Sequence, residues 1–135
     1  MNLRVLAAAV PLLALANPAM AISPAGDASP TSNLGCAVRL MVFAAKSKVI
    51  LAQTTDPAEQ AQVRNNFNLA NRGFAFFVAK LDPEMSDPTF RPRAERVFEA
   101  LRGLSGDIMV QQAVNCIKIW QKSENALVTT FQKRQ

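Results

Sequence analysis

DPAEQAQVRNNFNLANRGFAFFVAKL, residues 56–81, is the stretch whose reading decides the fold. It opens on a helix-start signal: Asp56 stands at the N-cap, Pro57 at the first helical position, and Glu59 where its side chain can reach back as a capping box. Val63, Phe67, Ala70, Phe74, Phe77 and Leu81 then recur at spacings of four and three, a heptad seam of the kind that packs helices side by side. Leu69, Gly73 and Phe76 add a flanking stripe. Gly73 costs about 1 kcal/mol against Ala in a helix interior, and close approach of another helix would explain it.

Working upstream, Thr54-Thr55 breaks the chain, and residues 34–53 read as a first helix capped by Ser32 or Asn33. Val38, Met41, Ala45, Val49 and Ala52 form one apolar stripe on it and Cys36, Leu40, Phe43 and Ile50 a second, an arc wide enough for neighbours on two sides. Downstream, Asp82-Pro83 is expected to end the second helix, and Pro83, Pro88 and Pro92 punctuate a ten-residue connection. Pro92 then reads as the first residue of a short third helix reaching Arg102, with Ala94, Val97, Phe98 and Leu101 inward and Gly103 at C′. Ser105 caps a fourth helix with Met109, Ala113, Cys116, Ile117 and Trp120 on its core side. The polar run 121–125 predicts a bend or break near Ser123 before Leu127, Val128 and Phe131 resume the pattern. Nothing alternates with period two, so no sheet is expected. The reading is all-α: a small four-helix up-down bundle, with an orthogonal helical array as the alternative.

A chain of 135 residues allows one domain. The first 21 residues read as a cleaved signal peptide. Arg4 supplies the positive end, Val5 to Ala16 an uncharged core too short to span a membrane, and Ala19-Met20-Ala21 the cleavage site. Residues 22–33 are rich in small, turn-forming types and read as a flexible leader, which leaves 34–135 as the helical domain. Net charge is +5 for the whole chain, and Arg4 is the one charge in the signal peptide. Export directs that excess toward anionic envelope components or acidic proteins, not nucleic acid. The expected location is the periplasm, with secretion as the alternative.

Histidine is absent, which removes the commonest general base, the commonest zinc ligand and the Ser-His and Cys-His nucleophile pairs. No metal site and no cofactor is expected. Cys36 and Cys116 face the core from the first and last helices, which are neighbours in an up-down bundle, and an exported chain meets an oxidising compartment; they are expected to be disulfide-bonded. Arg91, Arg93, Arg96 and Arg102 gather around the third helix as a candidate surface for an anionic partner. Glu95 and Glu99 stand at ion-pair spacing beside Arg91 and Arg102, the pattern of a solvated face. Asn65, Asn68, Asn71 and Arg72 form a polar stripe on the second helix. Phe67, Phe74, Phe77 and Trp120 are candidate lining for an interhelical pocket, although their spacing is that of a core. Glu124 falls oddly in the fourth-helix seam.

These readings carry two functional expectations. The first is a non-enzymatic, disulfide-stapled helical protein of the bacterial envelope, acting as a binding, interaction or chaperone-like module. The second is a small-ligand carrier or enzyme built on the aromatic pocket.

Overall fold

The structure is a computed structural model that describes residues 26–134; the candidate signal peptide and residues 22–25 lie outside the described residues. The described residues form four helices and no strand, a small all-α bundle: α1 Asn33–Gln53, α2 Pro57–Met85, α3 Phe90–Arg102 and α4 Gly106–Gln132.

Each helix start follows from a local signal. Ser32 Oγ accepts from the Gly35 N–H at 2.9 Å and caps α1. Asp56 Oδ1 accepts from the Glu59 N–H at 2.8 Å, and Pro57 begins α2. Ser105 caps α4 through the Ile108 N–H. Before α3 the capping is displaced: Asp87 Oδ1 takes both the N–H and the hydroxyl of Thr89 at 2.7 Å.

Beyond Phe98 and Ile50, which were read as core-side and are exposed, four features of the helix limits differ from the sequence reading. First, α2 passes through Asp82-Pro83 and ends at Met85, so the connection to α3 is four residues, 86–89, and not ten. A proline in the last turn removes one hydrogen bond, while Leu81 is buried just before it and Glu84 just after it is held by Arg93. Second, α3 begins at Phe90 and Pro92 is its third residue. The first four N–H groups of a helix have no intrahelical acceptor, so proline there breaks nothing. Third, α4 runs unbroken through Ser123. The Ser123 hydroxyl donates to the Ile119 carbonyl at 3.0 Å, so the polar run is absorbed into the helix. Fourth, Gly103 ends α3 at φ −80°, without the left-handed conformation expected of a glycine at C′.

The core lies where α1 crosses its neighbours. Leu40 and Ala44 of α1, Ala70, Phe77 and Leu81 of α2, Val97 and Leu101 of α3, and Met109, Ala113, Ile117 and Trp120 of α4 are buried together. A Cβ on Gly73 would lie 2.9 Å from Leu40 Cδ1 and 3.6 Å from Trp120 Cε3, the close approach that explains a glycine in the flanking stripe. Phe67 and Phe74 of that seam are only half-buried. The α1–α2 hairpin extends beyond the core, with no buried residue between Lys48 and Leu69, and α4 has none after Trp120. Of the first α1 stripe Val38 is buried, but Met41, Ala45, Val49 and Ala52 are exposed: the first two face away from the core, and the last two lie beyond it.

Candidate functional site

Cys36 and Cys116 are joined by a disulfide with their Cα atoms 5.4 Å apart. Arg39 bonds Gln112 one turn further along, so the N-terminal halves of α1 and α4 run antiparallel, as the sequence pairing requires. Both cysteines are 0% exposed.

What covers them is the segment before α1. Residues 26–32, part of the expected flexible leader, instead form a succession of turns folded over the bundle. The Pro30 carbonyl oxygen lies 3.5 Å from Cys36 Sγ and 3.6 Å from Cys116 Sγ. Disulfide sulfurs carry no proton, so these are packing contacts and not hydrogen bonds.

The segment is held from two helices, α1 and α3, and α2 braces the α3 contact through Glu84. From α1, the Arg39 guanidinium donates to the Ala28 carbonyl at 2.9 Å, the Ser29 carbonyl at 3.1 Å and Gln112 Oε1 at 2.7 Å. Arg39 is only 2% exposed, and its three acceptors are all neutral; burial pulls its pKa below the usual arginine value. From α3, Arg93 grips the Asp27 carboxylate with two bonds of 2.8 Å. From α2, Glu84 accepts from the same guanidinium at 3.0 Å. The Arg93 hydrogen bonds hold the Asp27 carboxyl below its ordinary value, and Asp27 in turn raises the Arg93 pKa. Ser32 Oγ donates to the Asp27 carbonyl at 2.7 Å. Gly35 leaves room for all this: a Cβ there would lie 2.6 Å from both Arg39 Nη1 and Ser32 Oγ, and hard against the Ser29 carbonyl.

The four candidate arginines do not act as one surface. Arg93 faces inward to Asp27 and Glu84. Arg91 pairs with Glu95 at 3.0 Å and Arg102 with Glu99 at 3.7 Å on the exposed side. Arg96 has its Nε buried without a hydrogen-bond partner, close enough to Asp27 to favour that carboxylate's charged form. Glu124 pairs with Arg72 at 3.5 Å, and Arg72 stands 5.2 Å over the Trp120 ring. Asn65, Asn68 and Asn71 face solvent.

Phe77 and Trp120 are packed core, with Phe77 edge-on to Phe76 at 5.2 Å between centroids. A cleft does exist elsewhere, where α1, α3 and the start of α4 meet. It encloses ≈ 110 Å³ over Val42, Leu101, Leu104 and Met109, with Lys46 and Arg102 beside them. No helix among the described residues is long and apolar enough to cross a membrane, and none of their His, Cys, Asp and Glu residues group in threes that could hold a metal.

Arg39 and the segment 26–32 were missed by sequence reasoning. The available signal was an arginine between two apolar stripes of a helix that otherwise carries charge only in its second half. Compared with known proteins, the chain matches no family model, no curated protein and no solved structure.

Proposed function

We propose that this is a non-enzymatic protein of the bacterial envelope, exported to the periplasm and stapled by its disulfide, which acts by binding apolar segments of other polypeptides in a chaperone-like way. One observation carries the reading: large apolar side chains stay exposed along the molecule, and the most exposed of them form one group on the hairpin and another at the end of α4. On the hairpin these are Val49, 58% exposed, and Ile50, with Lys46 and Lys48 beside them. On the α4 end they are Leu127, Val128 and Phe131, the last 66% exposed. Apolar surface interrupted by cations suits non-native chains, which present hydrophobic stretches and acidic side chains together. A buried disulfide fits an oxidising compartment.

The test is suppression of aggregation of a thermally unfolded model client by the oxidised, exported protein. Suppression is expected at near-equimolar protein. It should fall when Val49 and Ile50, or Leu127 and Phe131, are changed to Asp at unchanged melting temperature, whereas Asn68→Asp leaves it intact. Absence of suppression at molar excess overturns the reading.

A second reading, a ligand carrier, is favoured by the α1–α3–α4 cleft, which Phe98 lines, and not by Phe67, Phe74, Phe77 and Trp120. Pockets for drug-sized ligands occupy about 300–1,000 Å³; this one is smaller, and its apolar floor with two cations suits the end of a short-chain carboxylate. Calorimetric titration with octanoate decides it. Saturable heat that disappears on joint Lys46→Ala and Arg102→Ala substitution favours the carrier, and no heat removes it.

A further inference from the structure

We propose that residues 26–32 are a lid on the Cys36–Cys116 disulfide, latched by the Asp27–Arg93 ion pair, and that local opening of this lid, not unfolding, admits a thiol reductant to the bond. The disulfide is thereby an exchangeable site under a gate.

Thiol–disulfide exchange needs a thiolate to reach one sulfur along the S–S axis. Both sulfurs are enclosed, and the Pro30 carbonyl lies within 3.6 Å of each, so a reductant cannot arrive while the lid is down. The lid itself is held mainly by polar contacts: the Asp27–Arg93 pair, two carbonyl bonds to Arg39, and the Ser32 hydroxyl. Ala28 is its one apolar side chain packed against the core. Segments with few buried apolar contacts open at a small fraction of the global free energy. Raising the lid leaves α1, α2 and α4 packed as they are and exposes both sulfurs.

The chemistry then has a preferred direction. Cys36 is the fourth residue of α1, in its first turn. A thiolate leaving there is stabilised by the helix N-terminus, so attack on the Cys116 sulfur is favoured. A dithiol attacks as thiolate, the S–S bond breaks as a mixed disulfide forms on Cys116, and Cys36 departs as thiolate. The second thiol of the reductant, deprotonated, displaces Cys116. Two protein thiols and one oxidised dithiol result, with two electrons transferred.

The experiment follows reduction of the full exported protein by excess dithiothreitol without denaturant, read by thiol alkylation and mass. Asp27→Asn is expected to accelerate reduction about tenfold or more, the effect of losing a charge-assisted hydrogen-bonded pair, and Asp27→Glu to accelerate it less. The wild-type rate should be nearly flat in urea below the unfolding transition. Phe67→Ala, on the hairpin away from the lid, lowers global stability and should leave the native-state rate unchanged. The proposal fails if Asp27→Asn reduces at the wild-type rate. It fails equally if Phe67→Ala and Asp27→Asn accelerate reduction in proportion to the stability each loses, because unfolding is then the route.

Discussion

A guanidinium with no carboxylate beside it lies buried in the middle of this small molecule. Arg39 is tolerated because two lid carbonyls and Gln112 receive its protons, and Arg suits the task because its donors are fixed in a plane. Arg39→Met would remove the charge but leave those acceptors buried and unbonded. It should cost about 2–4 kcal/mol, and Arg39→Lys should recover little of that, in urea denaturation with the disulfide intact. Asp27 supplies a second residue-scale prediction, in pH. Its folded pKa is depressed, chiefly by Arg93 hydrogen bonds, with Arg96 of α3 adding to the effect; Glu84 of α2 shares Arg93. A depressed carboxylate contributes stability that is fully present above its unfolded pKa of about 3.9 and is lost as pH falls through the lower, folded value. The melting-temperature gap between wild type and Asp27→Asn should therefore be constant from pH 7 down to about 5 and close in stronger acid. A gap that persists below both pKa values would show that the substitution acts through something other than the charge. The one trace of this in the sequence is Arg39 itself, set between two apolar stripes of α1. Residues 26–32 carry turn-forming types with no apolar period, and a segment held through its carbonyls and a single carboxylate leaves no periodic pattern to read.

At the scale of the element, the sequence was legible where apolar spacing and capping agree. Asp56, Pro57 and Glu59 mark the start of α2, and the first five core-side residues assigned to α4 are buried, whereas Leu127, Val128 and Phe131, read as resuming that face, are exposed. It misled where a proline and a short polar run were each read as an interruption. Pro83 lies inside α2 because Leu81 and Glu84 anchor the turn around it, and the Ser123 hydroxyl finds an acceptor within its own helix. The seam was also read too evenly: a heptad says which face turns inward, not how far along the helix a partner extends. The substitutions follow the burial. Phe77→Ala should cost about 3–5 kcal/mol, Phe74→Ala clearly less because that ring is half-buried, and Asn68→Ala close to nothing. Thermal melts of the three variants check the order; equal shifts at Phe77 and Asn68 would mean that α2 faces the other way.

For the whole molecule, the disulfide is the contact that makes one body of distant parts. It closes 80 residues of sequence and ties α1 to α4 at the place where the lid also rests. The core is confined to the region where the helices cross, and the hairpin and the end of α4 add length without buried residues. A domain of this size has little stability in reserve, about 5–15 kcal/mol in all. The chain-entropy account assigns a loop of that length roughly 4–5 kcal/mol, and measured values more often fall at 2–4. Replacing Cys36 and Cys116 together by Ala avoids stray thiols and leaves the apolar packing nearly intact. The double variant should unfold on the order of 10–20 °C below the oxidised protein, with helical circular dichroism retained at low temperature because the α1–α2 and α4 contacts do not need the bridge. Wild type reduced with dithiothreitol and kept reduced should melt within a few degrees of that variant, about the spread of a 1 kcal/mol difference. A double variant that melts with the oxidised protein would place the stability in helix packing alone; one already unfolded at low temperature would mean that the core cannot hold α1 against α4 without the bond.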